Sequence, residues 1–203
     1  MNKIDVVENK NTLAKETIMQ VTLSLLEKKS FEKLTVSEIV KASKYSRGSF
    51  YKYFEDKYDL LRKIMEQEAI VFTDILCVGL QRGQQTAVSI DYNYNCIVSI
   101  FNNALKKKTL YKLIFNSEIE ECNMEKFCKV AVQNFLKKAE IVRKEGYQQD
   151  LGSIFYYCNT WLYMSYVKYW VERDFSIPVE AMARQVTYFV RGQKDEVVLQ
   201  KKK

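Results

Sequence analysis

The chain has 203 residues, of which 47% are hydrophobic, so it can bury a substantial core, and this argues against global disorder. Lysine and arginine outnumber aspartate and glutamate by 32 to 25, and the net charge of +7 suits an anionic partner without requiring one. Histidine is absent, which excludes Ser-His-Asp and Cys-His catalytic sites and zinc sites that need histidine.

The scarcity of helix breakers predicts an all-α fold, since there are only one proline and six glycines. The first helix is predicted to begin at Asn11 or Thr12, both common N-cap residues, after a mobile polar arm over residues 1–10. Phe31 and Leu34 follow this helix and are expected to close the core beneath the next turn.

Two short helices around a tight turn are predicted between Thr35 and Phe54. Thr35 and Glu38 have the spacing of a capping box, in which each side chain satisfies a backbone N–H group near the other. Ser46 is positioned to cap the second helix. Phe50 and Phe54 lie four residues apart on that helix, and we expect both rings to point inward.

The charged side chains in most of this two-helix segment all have the same sign. From Ile39 to Phe54 it contains four basic residues and no acidic residue. Gly48 and Ser49 are small, so the second helix can approach a partner closely. This combination of small, hydroxylic, aromatic and basic side chains is suited to a nucleic-acid groove and indicates a DNA-binding regulator.

A long helix is predicted next, with Asp56 as its cap and its end near residues 79–83. The glycine- and glutamine-containing loop at that end is the best internal boundary of the sequence. Beyond it the pattern predicts helices over residues 90–106, 109–116, 119–144, 151–173 and 178–191.

Residues 151–167 carry no charge and are rich in aromatic side chains. The run is shorter than the roughly 20 apolar residues of a membrane helix, and Asn159 and Thr160 interrupt it. We therefore expect a helix buried in a core or an interface, and no membrane partner. The five cysteines form no C-x-x-C pair, so we expect reduced thiols, a cytoplasmic location, and neither a metal nor a cofactor.

The first sixty or so residues resemble the DNA-binding domain of the TetR (tetracycline repressor) family. The likeness is carried by Phe31, by Thr35 with Ile39, by the segment SRGSFYKYF over residues 46–54, and by Lys57 with Leu60. A looser likeness around Trp161 and Trp170 is to family members of low-GC bacteria related to regulators of dihydroxyacetone kinase operons.

The turn between the two helices departs from the family pattern. Family members commonly have Ala-Gly-Val there, whereas this chain has Ser43-Lys44-Tyr45. Lys44 therefore stands where glycine often supplies a positive φ, so we expect strain or an altered turn that affects the angle of the second helix.

The resemblance implies a set of DNA-contacting residues. Arg47 is expected to contact a base, because its planar fork can bridge guanine O6 and N7. Ser49 and Tyr45 would add base or thymine-methyl contacts, and Ser46 and Gly48 complete the reading helix. Residues expected to hold phosphates are Thr35, Ser37, Tyr51, Lys52, Tyr53 and Lys57.

The resemblance also implies an organisation and a mode of action. Residues 1–57 would form the DNA-binding domain, with its helix-turn-helix at 35–54, and residues 58–203 a helical regulatory and dimerisation domain. The protein would be a homodimeric repressor of a palindromic double-stranded DNA operator, released by an unknown small-molecule effector. Trp161, Tyr169 and Trp170 are candidates for the effector site, although an aromatic stripe is more often core.

Two other functional classes remain open on the sequence alone. One is an activator or co-regulator controlled by a protein partner, which would require an exposed apolar patch. An enzyme based on carboxylates or a lone cysteine is a further alternative, but it requires a cleft with convergent polar groups that the sequence does not indicate.

Overall fold

The computed structural model describes residues 3–81, 90–116, 119–138 and 151–191. Its regular secondary structure over those residues is helical, which confirms the predicted all-α fold. The helices are α1 (Lys3–Leu26), α2 (Val36–Ser43), α3 (Arg47–Tyr53), α4 (Lys57–Gln81), α5 (Ile90–Lys106), α6 (Lys108–Asn116), α7 (Met124–Lys138), α8 (Leu151–Val171) and α9 (Val179–Arg191).

The chain divides into two compact units. The first comprises Met1–Glu68 and Thr109–Phe127, and the second comprises Ala69–Lys108 and Cys128–Lys203. Helix α4 contributes its first half to one unit and its second half to the other. Of the loop predicted as an internal boundary at residues 79–83, residues 79–81 belong to α4, and residues 82 and 83 lie outside the described residues. The domain division after residue 57 stays a prediction.

The first unit is built on a core of aromatic and aliphatic side chains beneath α2 and α3. Phe31 and Leu34 are almost fully buried, which confirms that they close the core after α1. Phe50 and Phe54 are also buried, with ring centroids 5.4 Å apart, as their spacing predicted. These two rings fix the rotation of α3, so the opposite side of that helix faces outward.

The start of α4 is fixed by hydrogen bonds that its first N–H groups donate to the cap residue, Asp56. Asp56 Oδ1 accepts from the backbone N–H groups of Tyr58 and Asp59, each at 2.8 Å, which confirms Asp56 as the cap. A carboxylate at a helix N-terminus satisfies donors that have no partner inside the helix and opposes the positive end of the helix dipole.

Lys57 attaches the start of α4 to the connection between α1 and α2. Its ammonium donates to the carbonyl oxygens of Phe31, Glu32 and Leu34 at 3.0, 3.0 and 3.1 Å. The same nitrogen lies 4.8 Å from the centroid of the Phe31 ring. An ammonium has three N–H donors, so these carbonyls use its full capacity.

A second lysine of α4 attaches this helix to the end of α3. Lys63 donates to the carbonyl oxygen of Tyr53 at 2.8 Å and to Asp59 at 2.8 Å. The buried Asp59 carboxylate also accepts from Arg62 and from the backbone N–H of Glu55. The two lysines thus hold both ends of the helix-turn-helix against α4.

The second unit has an aromatic core in which α5, α8 and α9 meet. Trp170 is fully buried, and its indole N–H donates to the carbonyl of Ile177 at 2.7 Å. Its ring meets those of Phe101 and Phe175 edge-on at 5.4 and 5.0 Å between centroids. Phe175 reaches this position with a φ of 58°, a left-handed conformation that is strained for a bulky residue.

Two predicted helix starts are wrong. Helix α1 begins at Lys3, not near Asn11, because residues 3–10 contain no glycine or proline to stop it and a cap residue is only a weak signal. Helix α7 begins at Met124, not Ile119. Asn123 Oδ1 accepts from the Lys126 N–H at 3.0 Å and caps it, while the Cys122 N–H closes a turn onto Ile119.

Helix α8 corresponds to the uncharged aromatic run. It has 21 residues and ends at Val171. Neither α8 nor any other helix in the described part of the chain has the length and apolarity required of a membrane span.

Replacing Lys57 with methionine tests the role of its ammonium. Lys57→Met keeps the aliphatic stem but removes donors from three carbonyls, and we expect it to lower the free energy of unfolding by about 2 kcal/mol. The exposed Lys15 of α1 gives a control, Lys15→Met, expected within about 0.5 kcal/mol of wild type. Urea denaturation measures both, and equal stability of the two variants contradicts the proposed role.

Candidate nucleic-acid interface

Helix α2 begins with the predicted capping box. The Glu38 N–H donates to Thr35 Oγ1 at 3.3 Å, and the Thr35 N–H donates to Glu38 Oε2 at 3.0 Å. The Thr35 hydroxyl also donates to Glu38 Oε2 at 2.8 Å. Thr35 therefore fixes the start of α2 while its side chain stays exposed, and the phosphate contact expected of it stays a prediction.

The Glu38 carboxylate is held in its charged form. Hydrogen bonds from Lys29, from the Thr35 hydroxyl and from the Thr35 N–H lower the pKa of Glu38 to about 2. Lys29 Nζ lies 2.6 Å from Glu38 Oε1. Because these donors stabilise the carboxylate and not the acid, the box weakens when Glu38 is protonated.

The turn between α2 and α3 contains the expected positive φ. Lys44 has φ 61° and ψ 21°, and its N–H donates to the Lys41 carbonyl at 3.4 Å. Ser43 is buried next to it, and Tyr45 is half-buried. A lysine thus adopts the left-handed conformation that glycine adopts without strain.

The start of α3 brings together four predicted DNA contacts, of which one, Ser37, belongs to α2. Ser46 caps the helix by accepting from the Ser49 N–H at 3.1 Å, and the two hydroxyls lie 3.0 Å apart. Arg47 Nη2 donates to Ser37 Oγ of α2 at 2.6 Å. Both partners are exposed, so a side chain of α2 orients the guanidinium on the surface and leaves its other N–H groups for a ligand.

Gly48 has space around its α-carbon. A β-carbon placed there would meet Ser46 Oγ at 3.7 Å, which is ordinary van der Waals contact. The residue is exposed on the first turn of α3. The fold therefore does not require glycine at this position, which is consistent with its predicted use in close approach to a partner.

The middle and end of α3 carry the other predicted contacts. Tyr51 is 56% exposed and its ring meets the buried Phe50 ring edge-on at 5.4 Å. Lys52 is exposed, with its ammonium 5.4 Å from the centroid of the half-buried Tyr53 ring. Tyr51 and Lys52 are therefore placed on the surface, and their phosphate contacts stay predictions.

Lys57 is placed differently from the expectation. Its ammonium donates to three backbone carbonyls of its own unit, so its N–H donors are already used within the fold. A phosphate contact by this ammonium would therefore have to replace one of these three hydrogen bonds. Sequence reasoning missed this role, because the acceptors lie 23 to 26 residues earlier in the chain.

Lys63 and Asp59 were also missed as residues that position the site. Their spacing of four residues on one helix was the only sequence signal available. Burial raises the pKa of the Asp59 carboxyl, but hydrogen bonds from Lys63 and from the Glu55 N–H outweigh it, so that the net pKa is lowered.

The three residues predicted for an effector site have different surroundings in the second unit. Trp170 belongs to the packed core. Tyr169 is 46% exposed, and the guanidinium of Arg173 stacks 3.5 Å from its ring centroid. Tyr169 also lines an open groove of about 740 Å³ between α8 and α9, with Tyr166, Met182 and Tyr188. Trp161 is half-buried, and its buried Nε1 has no hydrogen-bond partner among the residues that the structure describes.

Two family profiles match the sequence of this chain. A profile described as bacterial regulatory proteins of the tetR family matches residues 18–64, which include α2, α3 and the Lys57 contact. A profile described as a transcriptional regulator C-terminal region matches residues 92–192. The chain belongs to the TetR family of transcriptional regulators. This confirms the resemblance inferred from the sequence, including its DNA-binding helix-turn-helix.

One curated relative is similar in sequence to this TetR-family chain. It is YxbF of Bacillus subtilis (strain 168), described as an uncharacterized HTH-type transcriptional regulator, with 24% identity over 117 residues. The match covers 52% of this chain but only 31% of the relative, so the chain spans about a third of the length of that protein.

Solved structures of other TetR-like regulators share the fold. A putative TetR-family regulator from Syntrophomonas wolfei has a TM-score of 0.64 and 19% identity, covering 93% of this chain and 98% of that one. The fatty acid degradation regulator FadR from Bacillus halodurans has a TM-score of 0.63 and 16% identity, with 90% and 96% covered. FadR from Bacillus subtilis, in complex with stearoyl-CoA, has a TM-score of 0.57 and 17% identity, with 86% and 96% covered.

The lowered pKa of Glu38 predicts how stability depends on pH. Because the folded pKa is about 2 against an ordinary value of 4.5, its contribution is fully present above about pH 5 and is lost as pH falls towards 2. Glu38→Gln should therefore be less stable than wild type at pH 7, with a difference that shrinks between pH 5 and pH 2.

Chemical denaturation at several pH values measures this difference, with Glu16→Gln on the exposed surface of α1 as the control. A Glu38→Gln difference that is the same at pH 7 and at pH 3 contradicts the stabilisation of the charged carboxylate.

Gly48→Ala separates folding from DNA binding. Alanine fits the space at this position and favours a helix over glycine, so the free energy of unfolding should rise by up to about 1 kcal/mol. If α3 lies against DNA at Gly48, the added methyl group should weaken operator binding at least about tenfold, or by roughly 1.4 kcal/mol. Thermal unfolding and gel-shift titration measure the two effects, and unchanged operator affinity shows that DNA does not approach this residue.

Proposed function

We propose that this chain is a homodimeric repressor that binds a palindromic DNA operator and is released by a small-molecule effector. Family membership supports DNA binding. The observation that carries the proposal is the exposed Arg47 guanidinium, held by Ser37 at 2.6 Å at the start of α3. A guanidinium oriented before binding loses less conformational entropy when it contacts a base.

In this proposal α3 enters the major groove with its N-terminal residues foremost. Arg47 then bridges O6 and N7 of a guanine, while Tyr45 and Ser49 contact neighbouring base edges. Ser37, Tyr51 and Lys52 hold the flanking phosphates. Since α2, α3 and the turn between them carry no acidic residue after Glu38, the face presented to DNA lacks a repelling charge.

Dimerisation is proposed through α8 and α9. Four large apolar side chains on these helices are 46–64% exposed, namely Ile154, Tyr157, Tyr169 and Phe189. The groove between the same helices offers space for side chains of a second copy. A two-fold dimer would place its two reading helices in major grooves about one helical turn apart or slightly more, roughly 34–36 Å.

The effector is proposed to be a lipophilic acyl compound that binds in residues 58–203, the regulatory and dimerisation domain of this proposal. The second unit is rich in buried aromatic side chains, which suit an apolar ligand. FadR from Bacillus subtilis, whose fold is similar, is in complex with stearoyl-CoA. Stearoyl-CoA is therefore the first compound to test.

Helix α4 is the proposed connection between effector and DNA. Its first half carries Lys57 and Lys63, which hold the helix-turn-helix, and its second half belongs to the second unit. A ligand that favours one position of the second half over another would change the placement of α3, which is a coupling between two distinct sites.

We propose no catalytic role for the chain. Four of its five cysteines are buried, and burial raises the pKa of Cys96 to about 11 and those of Cys122 and Cys128 to about 12. Such thiols are poor nucleophiles at neutral pH. A DNA-binding regulator of a bacterial family acts where the chromosome is, so a cytoplasmic location is part of the proposal.

The proposal is tested with Arg47→Ala. An operator is first selected from random-sequence DNA, and gel-shift titration then compares operator with unrelated DNA. We expect the variant to lose at least about tenfold in discrimination while its affinity for unrelated DNA changes little, because a bidentate base contact contributes about 1–3 kcal/mol.

Lys129→Ala is the matched control, since Lys129 is an exposed cation on α7 in a part of the chain not assigned to DNA. It should bind like wild type. An Arg47→Ala protein that keeps wild-type discrimination removes the central support for the proposal.

A further inference from the structure

One exposed lysine of α2 has no role in the fold or among the predicted DNA contacts. Lys41 lies in the last turn of α2, and its side chain is exposed. Within the part of the chain that the structure describes, its ammonium has neither an ion pair nor a hydrogen bond. The ammonium is therefore available to a ligand, and its surroundings indicate which ligand.

Lys41 lies on the same outer side of α2 as Ser37. The two residues are four positions apart on one helix, so their side chains are neighbours on its surface, with about 5–6 Å between their β-carbons. Ile39, which is fully buried, points to the opposite side of the helix. Ser37 and Lys41 thus belong to one surface that faces away from the core.

The Arg47 side chain extends over this same surface. Arg47 begins α3 after a three-residue turn at the end of α2, and its Nη2 donates to Ser37 Oγ at 2.6 Å. Because Ser37 lies one helical turn before Lys41, the arginine side chain reaches back from the turn along the side of α2 that carries Lys41. The Arg47 guanidinium and the Lys41 ammonium are therefore two cations on one exposed surface.

The nearby carboxylates do not offset these two cations. The sequence has no acidic residue between Glu38 and Glu55. The Glu38 carboxylate is held by Lys29 at 2.6 Å and by the hydroxyl and N–H of Thr35 at 2.8 and 3.0 Å. Like charges at neighbouring positions repel each other, so a bound anion would relieve a repulsion that the fold leaves in place.

The DNA backbone is the anion that this arrangement fits. In a helix-turn-helix the second helix lies in the major groove, and the first helix crosses the backbone. Arg47 is on the second helix, and its planar guanidinium matches the edge of a guanine. Lys41 is on the first helix, and an ammonium binds a phosphate as a point charge without matching the edge of any particular base.

We propose that Lys41 binds a DNA backbone phosphate beside the guanine that Arg47 contacts. This rests on the proposed function, and it adds to each protomer a phosphate contact from the last turn of α2. Arg47 then determines which sequence is bound, whereas Lys41 strengthens binding to any DNA, because phosphate contacts carry no sequence information.

Lys41→Gln tests the contact, because it removes the charge and keeps a long side chain of similar helix propensity. Fluorescence anisotropy of the full chain measures binding to the selected operator and to an unrelated duplex between about 50 and 200 mM KCl. We expect the affinity for both duplexes to fall at least about threefold, with unchanged discrimination between them. The slope of log affinity against log salt should decrease in magnitude by about 0.9 for each Lys41 in the complex.

Two further variants separate a contact at Lys41 from other effects of charge. Lys15→Gln removes an exposed cation from α1 and should keep the wild-type slope. Lys41→Arg retains the charge and should also keep it. A lysine in the last turn of a helix can also stabilise the negative end of the helix dipole. If that is the only role of Lys41, Lys41→Gln lowers the unfolding temperature and leaves the salt slope unchanged, which contradicts the proposal.

Ethylation interference locates the phosphate on the operator. Ethylation removes the charge of a single phosphate and so abolishes its attraction for an ammonium. In each half-site we expect one phosphate, beside the guanine contacted by Arg47, at which ethylation weakens binding of the wild-type protein but not of Lys41→Gln.

Several outcomes overturn the proposal. These are an unchanged salt slope in Lys41→Gln, an equal decrease in Lys15→Gln, a loss of discrimination like that expected of Arg47→Ala, or the same ethylation pattern for wild type and Lys41→Gln. Failure of the proposed function is a different result, because Arg47→Ala then keeps its discrimination. If Arg47→Ala loses discrimination while Lys41→Gln keeps the wild-type slope, only the inference about Lys41 fails.

Discussion

The reading helix α3 has only seven residues, and a helix of that length is not stable in water on its own. Its existence depends on the burial of Phe50 and Phe54, which are 0% and 1% exposed. These rings lie four residues apart and anchor one side of the helix, so Gly48 and Lys52 lie on its other side, and Arg47 is exposed at its first turn. The geometry of the DNA-binding face is therefore a consequence of packing beneath it.

Charged side chains complete what the aromatic packing begins. Lys57 and Lys63 both lie on α4 and donate to backbone carbonyls of the first unit. Lys57 donates to three carbonyls before α2, and Lys63 donates to one carbonyl at the end of α3. Both ammonium groups also lie within 5.5 Å of a buried phenylalanine ring. Basic residues in this unit thus fall into two groups, because Lys57 and Lys63 hold the fold while Arg47 and Lys52 are exposed on its surface.

Local signals in the sequence predicted much of this unit. The capping box at Thr35, the caps at Ser46 and Asp56, and the positive φ at Lys44 were all expected, because each involves residues within a few positions of one another. The starts of α1 and α7 were predicted wrongly, since the capping signals used for them compete with general helix propensity and with other caps nearby.

Long-range contacts were not predictable in the same way. The Lys57 ammonium meets carbonyls more than twenty residues away, so nothing near it in the sequence distinguishes it from a phosphate contact. The Trp161 indole N–H, which has no partner among the described residues, could not be identified either, because pairing of a buried donor depends on packing and not on a local motif. The second unit is for this reason less predictable from the sequence than the helix-turn-helix.

The central claim is that two copies of α3 read the major groove through Arg47. Guanine N7 methylation interference on the selected operator tests this most directly, because N7 lies in the major groove and a methyl group there blocks an arginine. The account predicts interference at symmetry-related guanines in the two half-sites, about one helical turn or slightly more apart. Absence of N7 interference, or interference only at adenine N3 in the minor groove, would contradict it.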